Sequence, residues 1–179
     1  MRRTYCWQRL DQPGLELMQF DMDDHGVNAN AALIDGGGDP FSLTLHWRLD
    51  PAWCSRGLKL ARTGVAGETR LEIARTPQGW RINDEARPDL AGCLELDVSA
   101  TPFCNGLAIR ALGEAPGELA ALYVDAADLS VQPSRQRYER LGPRRWRYID
   151  LGIAAGFEAV LELDDDLVVR EYEGLFARI

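Results

Sequence analysis

The sequence predicts an all-β chain built on one large, mostly antiparallel sheet. Three observations carry that expectation. Apolar residues recur with a period of two, turn residues break the pattern at short intervals, and no run reads as a long helix. A sheet of that size must curl, roll or fold into a sandwich to bury one face.

The elements follow in chain order. Phe41, Leu43, Leu45, Trp47 and Leu49 alternate with Ser42, Thr44, His46 and Arg48, the pattern of a half-buried strand. Leu58 and Leu60 alternate with Lys59 and Ala61, and Leu71 and Ile73 with Arg70, Glu72 and Ala74. Leu94, Leu96 and Val98 alternate with Glu95 and Asp97, which predicts both carboxylates on one face and the apolar trio on the other. Near the end, Phe157, Ala159, Leu161 and Leu163 alternate with Glu158, Val160 and Glu162. Between the runs lie the turn formers Asp35-Gly36-Gly37-Gly38-Asp39-Pro40, Thr63-Gly64, Pro77-Gln78-Gly79, Asn83-Asp84 and Leu141-Gly142-Pro143. Asp164-Asp165-Asp166 reads as a hairpin turn. Residues 104–112 and 115–121 are the two candidates for a short helix. There is no internal repeat and no linker, so residues 1–179 form a single domain.

Composition narrows the function classes. The chain is 46% apolar and 27% charged, which suits a globular protein and excludes disorder. A net charge of −8 argues against nucleic acid as a partner. The N-terminal MRRTYCWQRLDQPG lacks the apolar run of a signal peptide, and no stretch approaches the ~20 apolar residues of a membrane span. A cytoplasmic protein with no stable membrane insertion is expected. Cys6, Cys54, Cys93 and Cys104 form no C-x-x-C pair and read as free thiols. With only His25 and His46 available, neither a metal nor a cofactor is called for.

The densest stretch is GCLELDVSATPFCNGLAIRAL, residues 92–112. Here Glu95, Asp97, Asn105 and Arg110 are threaded through an apolar segment. Two same-face carboxylates can perform acid–base work when one is desolvated; the alternatives are a solvated outer face or partners for a nearby Arg. Pro102 begins a turn, after which Asn105 could cap a short helix. Arg110, at the end of Leu107-Ala108-Ile109, is expected to reach Glu95 or Asp97, as a structural strut or as an anchor for a polar ligand group. A second stretch, residues 135–148, carries six arginines interleaved with Tyr138, Trp146 and Tyr148. Strand alternation puts Arg145 and Arg147 on one face and Trp146 and Tyr148 on the other, the separation of solvent from core. A solvated strand pair is therefore expected ahead of an anion-binding patch, with a nucleic-acid surface last given the net charge. Trp7, Trp47, Trp53 and Trp80 suit either a core or a pocket lining. No G-x-S-x-G, P-loop, G-x-G-x-x-G or H-E-x-x-H pattern occurs.

Residues 92–112 resemble the signature segment of a bacterial family named for putative glycolipid binding, formerly a domain of unknown function. The likeness rests on Gly92-Cys93, Glu95 and Asp97, Pro102-Phe103-Cys104-Asn105 and Leu107-Ala108-Ile109-Arg110-Ala111-Leu112. Trp7, the GWRI hairpin at 79–82, Gln136-Arg137-Tyr138, Phe157, Asp164 to Val168 and Tyr172 extend it along the chain. Glu95, Cys104, Ala108 and Ala111 depart from the family's Asp, Thr, Pro and Arg. The resemblance implies a single, strongly curved antiparallel sheet rolled into a spiral β-roll or half-barrel, with at most one or two short helices.

The expectation is then a soluble binding protein for a lipid-like or glycolipid-like ligand, held in a groove of the rolled sheet. Glu95, Asp97, Asn105 and Arg110 would orient its polar end, and Tyr138 and Trp80 would line the groove. The alternatives are an enzyme on a small polar or sugar-containing substrate with Asp97 or Glu95 as acid or base, and a structural β-domain without a small-molecule site.

Overall fold

A computed structural model describes all 179 residues. Fifteen strands follow one another: β1 (Arg2–Arg9), β2 (Gly14–Asp23), β3 (Gly26–Asp35), β4 (Phe41–Leu49), β5 (Ser55–Gly64), β6 (Gly67–Thr76), β7 (Gly79–Ile82), β8 (Glu85–Ala86), β9 (Cys93–Val98), β10 (Gly117–Val124), β11 (Val131–Gly142), β12 (Arg145–Asp150), β13 (Glu158–Leu163), β14 (Val169–Tyr172) and β15 (Phe176–Arg178). A single α-helix, α1 (Phe103–Ala111), follows β9.

All fifteen strands belong to one sheet, in the order β8-β7-β6-β5-β4-β3-β2-β1-β15-β14-β13-β12-β11-β10-β9. The chain therefore lays down one arc from β1 outward to β8. It crosses to the far edge at β9 and returns by hairpins until β15 pairs with β1, with Trp7 opposite Arg178 and Arg9 opposite Phe176. Every pairing is antiparallel except β9 with β10, which run parallel because α1 is the crossover between them.

The sheet does not close on itself by a backbone ladder. Its two ends are instead joined by side chains. Trp80 Nε1 donates to the Cys93 carbonyl at 3.0 Å, Arg75 donates to the Leu94 carbonyl at 3.1 Å, and the Ser55 amide donates to the Glu95 carboxylate at 3.1 Å. The result is a curled half-barrel with α1 inside it.

Alternation explains what fills the interior. Along β4 the odd-numbered Phe41, Leu43, Leu45, Trp47 and Leu49 are buried and their neighbours face out, as their period of two requires. They pack on α1, where Phe103 meets Trp47 edge-on with ring centroids 5.4 Å apart and Phe20 at 5.0 Å. Gly106 is what lets the helix sit so deep. A Cβ there would lie 2.0 Å from the Leu167 carbonyl oxygen, so no larger residue fits without a backbone shift. The buried apolar residues form one cluster of 44.

Three sequence expectations need correction. Residues 115–121 belong mostly to β10 rather than to a helix. Their apolar residues are covered on both faces, which removes the alternation that marks a strand. In β9, Glu95 is as buried as Leu96 and Val98, while Leu94 is 45% exposed. The seam covers the carboxylate face at Glu95, so polar and apolar residues do not separate there as solvent and core. Asn105 does not cap α1: the helix starts after Pro102, and the Thr101 hydroxyl accepts the Phe103 amide at 3.3 Å.

Candidate functional site

At the N-terminal end of α1 the interior is incompletely filled. A cavity of about 140 Å³ lies between the helix start, β9 and the inner faces of β12 and β14. Asp97, Thr101, Cys104 and Asn105 form one wall, and Tyr148, Asp150, Phe157 and Tyr172 the other. Ser99 and Tyr123 also border a wider depression of about 350 Å³ lined by Arg9, Asp35 and the Gly37-Gly38 turn, so the two hollows share a wall.

Strand register builds this site. Asp97 is paired with Tyr123, Gln136 with Asp150, and Tyr138 with Tyr148, so these side chains lie on the inner face of consecutive strands. A one-way chain of hydrogen bonds then runs along that face. Asn105 Nδ2 donates to Tyr138 Oη at 3.2 Å, the Tyr138 hydroxyl donates to Gln136 Oε1 at 3.1 Å, and Gln136 Nε2 donates to Asp97 Oδ2 at 2.5 Å. The Cys104 thiol donates to Asp97 Oδ1 at 2.9 Å. All donors converge on Asp97. Beside it, Asp150 accepts the Tyr148 hydroxyl at 3.1 Å and the Gly152 amide at 2.7 Å.

Burial raises the Asp97 pKa above the usual carboxylate range, and the Asp150 charge pushes in the same direction, against the hydrogen bonds from Cys104 and Gln136. The Cys104 thiol is raised well above its ordinary value, by burial first and then by Asp97, which keeps it protonated as a donor. The aromatic wall is continuous. Tyr148, Phe157 and Tyr172 form a triangle of rings with centroids 6.0–6.4 Å apart, backed by Tyr138 at 5.5 Å from Tyr148.

Of the six residues singled out from the sequence, Asp97 and Asn105 line the cavity and Tyr138 stands directly behind it. The other three lie elsewhere. Glu95 is held at the seam by the Ser55 and Leu96 amides, and Trp80 by the Cys93 carbonyl. Arg110 reaches neither Glu95 nor Asp97. It sits at the opposite end of α1, where its guanidinium lies 4.5 Å above the Trp53 ring and donates to the Asp166 carbonyl. The helix separates it from both carboxylates.

Sequence reading missed Asp150, Tyr148, Tyr172 and Gln136 as site residues. The signal for Asp150 was present in W-x-Y-x-D at 146–150, where an acid falls in step with two core aromatics. The arginines of 135–148 turn outward as alternation requires. Arg135 and Arg137 meet Glu118, Arg147 meets Glu139, and Arg145 meets Glu162. A larger hollow of about 590 Å³ lies over β3 to β6, where Lys59 already pairs with Glu72 and His46 with Asn30. No helix is long and apolar enough to cross a membrane.

The family model described as "Putative glycolipid-binding" matches residues 4–178. The chain belongs to that family. A crystal structure of a DUF1089-family protein from Pseudomonas aeruginosa is similar to it throughout, with a TM-score of 0.80 and 31% sequence identity over 93% of this chain and 92% of that one. No curated protein matches. The rolled all-β fold seen here is thus shared with that DUF1089-family structure.

Proposed function

We propose that this member of the glycolipid-binding family, acting as one domain over residues 1–179, is a binding protein. The polar end of a lipid-like or glycolipid-like ligand enters the cavity at the start of α1. The observation that carries this reading is a polar, aromatic-walled cavity beside an uncharged, exposed loop. Residues 151–157, Leu-Gly-Ile-Ala-Ala-Gly-Phe, carry no charge, and Ile153 and Phe157 are 42% and 37% exposed. Phe157 is both the end of that loop and part of the cavity wall.

Volume sets the division of labour. Pockets that enclose a drug-sized molecule run to roughly 300–1,000 Å³, so a hollow of about 140 Å³ takes a head group and no chain. The apolar interior that could have housed a hydrocarbon tail is occupied by Phe103, Leu107 and Ile109 of α1. A tail would lie outside, along 151–157.

Native mass spectrometry of protein incubated with a lipid extract tests this. The wild type is expected to retain small molecules that Ser99→Phe, which places a ring at the shared wall of the two hollows, does not. Equal retention by both proteins, or by neither, overturns the reading.

A further inference from the structure

We infer that the cavity is shaped for a small organic cation, so that the polar end of the ligand carries an ammonium group. The inference rests on the binding role proposed above and names the chemistry of that same site.

The first argument is charge balance. Asp97 and Asp150 line the cavity, and none of its thirteen lining residues is Arg, Lys or His. Neither carboxylate takes part in an ion pair. Elsewhere fourteen of the 28 carboxylates, the part-buried Asp35 and Asp164 among them, pair with Arg or Lys. Two carboxylates in a half-enclosed site without a cation favour the entry of something positive.

The second argument is the opposite wall. The Tyr148, Phe157 and Tyr172 rings line the cavity, and aromatic rings attract an ammonium group and repel an anion. Carboxylates on one side and aromatic rings on the other suit a cation that is weakly hydrated and carries C–H groups. A metal ion fits poorly, because no group of three or more His, Cys, Asp or Glu side chains is placed to hold one. A phosphate or sulfate head group would meet two carboxylates and no donor of positive charge.

The third argument is the direction of the hydrogen-bond chain. Asn105, Tyr138 and Gln136 pass their donors in sequence toward Asp97, so that carboxylate is served as an acceptor. Such an arrangement favours its charged form whenever a counter-cation arrives.

Isothermal titration with three amphiphiles of equal chain length, octylammonium, octyl glucoside and octyl phosphate, decides the matter on the wild-type protein. Octylammonium is expected to bind at least tenfold more tightly than octyl glucoside, and octyl phosphate not at all. Asp150→Asn should cost octylammonium about tenfold and octyl glucoside far less. Phe157→Leu, at a half-open position that tolerates change, should weaken octylammonium severalfold if Asp150→Asn fails to fold. Octyl glucoside or octyl phosphate binding as well as octylammonium overturns the cation inference while leaving the binding role intact. Absence of binding by all three overturns both.

Discussion

The inner surface of this rolled sheet has two unlike halves. From β2 to β6 it is lined by Met18, Phe20, Ala29, Leu33, Leu43, Leu45, Trp47, Leu58, Leu60, Leu71 and Ile73. From β9 to β14 the inner face adds Glu95, Asp97, Tyr123, Ser134, Gln136, Tyr138, Tyr148, Asp150 and Tyr172 to apolar residues such as Leu119, Trp146, Leu161 and Leu163. One rule of alternation produces both, since every second residue of a strand points inward whatever its chemistry. What differs is the partner. The first half packs against the apolar side of α1 until no space remains, whereas the second keeps hydroxyls, amides and carboxylates that must be satisfied one by one. Close packing belongs to the first arc, and an unfilled cavity to the second.

Glu16 breaks this division, since it lies on the inner face of the apolar arc beside Met18, opposite Trp7. Burial raises its pKa to about 8, and only the neighbouring Thr101 hydroxyl works against that. The folded state therefore holds a proton that the unfolded chain, with an ordinary value of 4.5, releases. Stability is complete below pH 4.5 and falls as pH rises toward 8, by up to about 5 kcal/mol if nothing relaxes. Glu16→Gln should abolish most of that slope and make the protein more stable than wild type at pH 8. Urea unfolding at pH 5 and pH 8 measures it, and an unchanged slope in the variant would refute the assignment.

Next in size is Trp47→Ala, which opens a void where the first arc grips Phe103. It also leaves the Ser55 hydroxyl without the indole N–H that it now accepts at 2.7 Å. The expected loss is about 3–5 kcal/mol in chemical denaturation. The smallest effect belongs to the polar arc. Tyr148→Phe removes one hydrogen bond to Asp150 and keeps the ring, so it should cost about 1 kcal/mol in the same measurement. If the two losses came out equal, the contrast between a packed arc and a hollow one would fail.

The strands and turns were legible because alternation and turn chemistry are local. The helix was legible too, since 104–112 overlaps α1 almost entirely. The site was legible only in part. Asp97 and Asn105 stood out because polar residues in an apolar run are conspicuous wherever the chain folds. Asp150 and Tyr172 join them from strands far along the sequence, and only sheet register brings them there. Arg110 went to Asp166 rather than to Asp97 because it lies at the far end of α1, nearly two helical turns beyond Cys104, the residue of that helix that meets Asp97. No spacing rule in a single sequence encodes what lies beyond that end.

The side-chain seam between β7 and β9 carries a consequence for behaviour in a crowded cell. An open sheet has two flanks with unpaired backbone groups, and such flanks recruit other chains into aggregates. Here one flank is β8, only two residues long, and the other has its carbonyls at Cys93 and Leu94 already claimed by Trp80 and Arg75. Both flanks are thus blunted against added strands, and Arg75→Ala or Trp80→Phe would each free one carbonyl without touching the cavity.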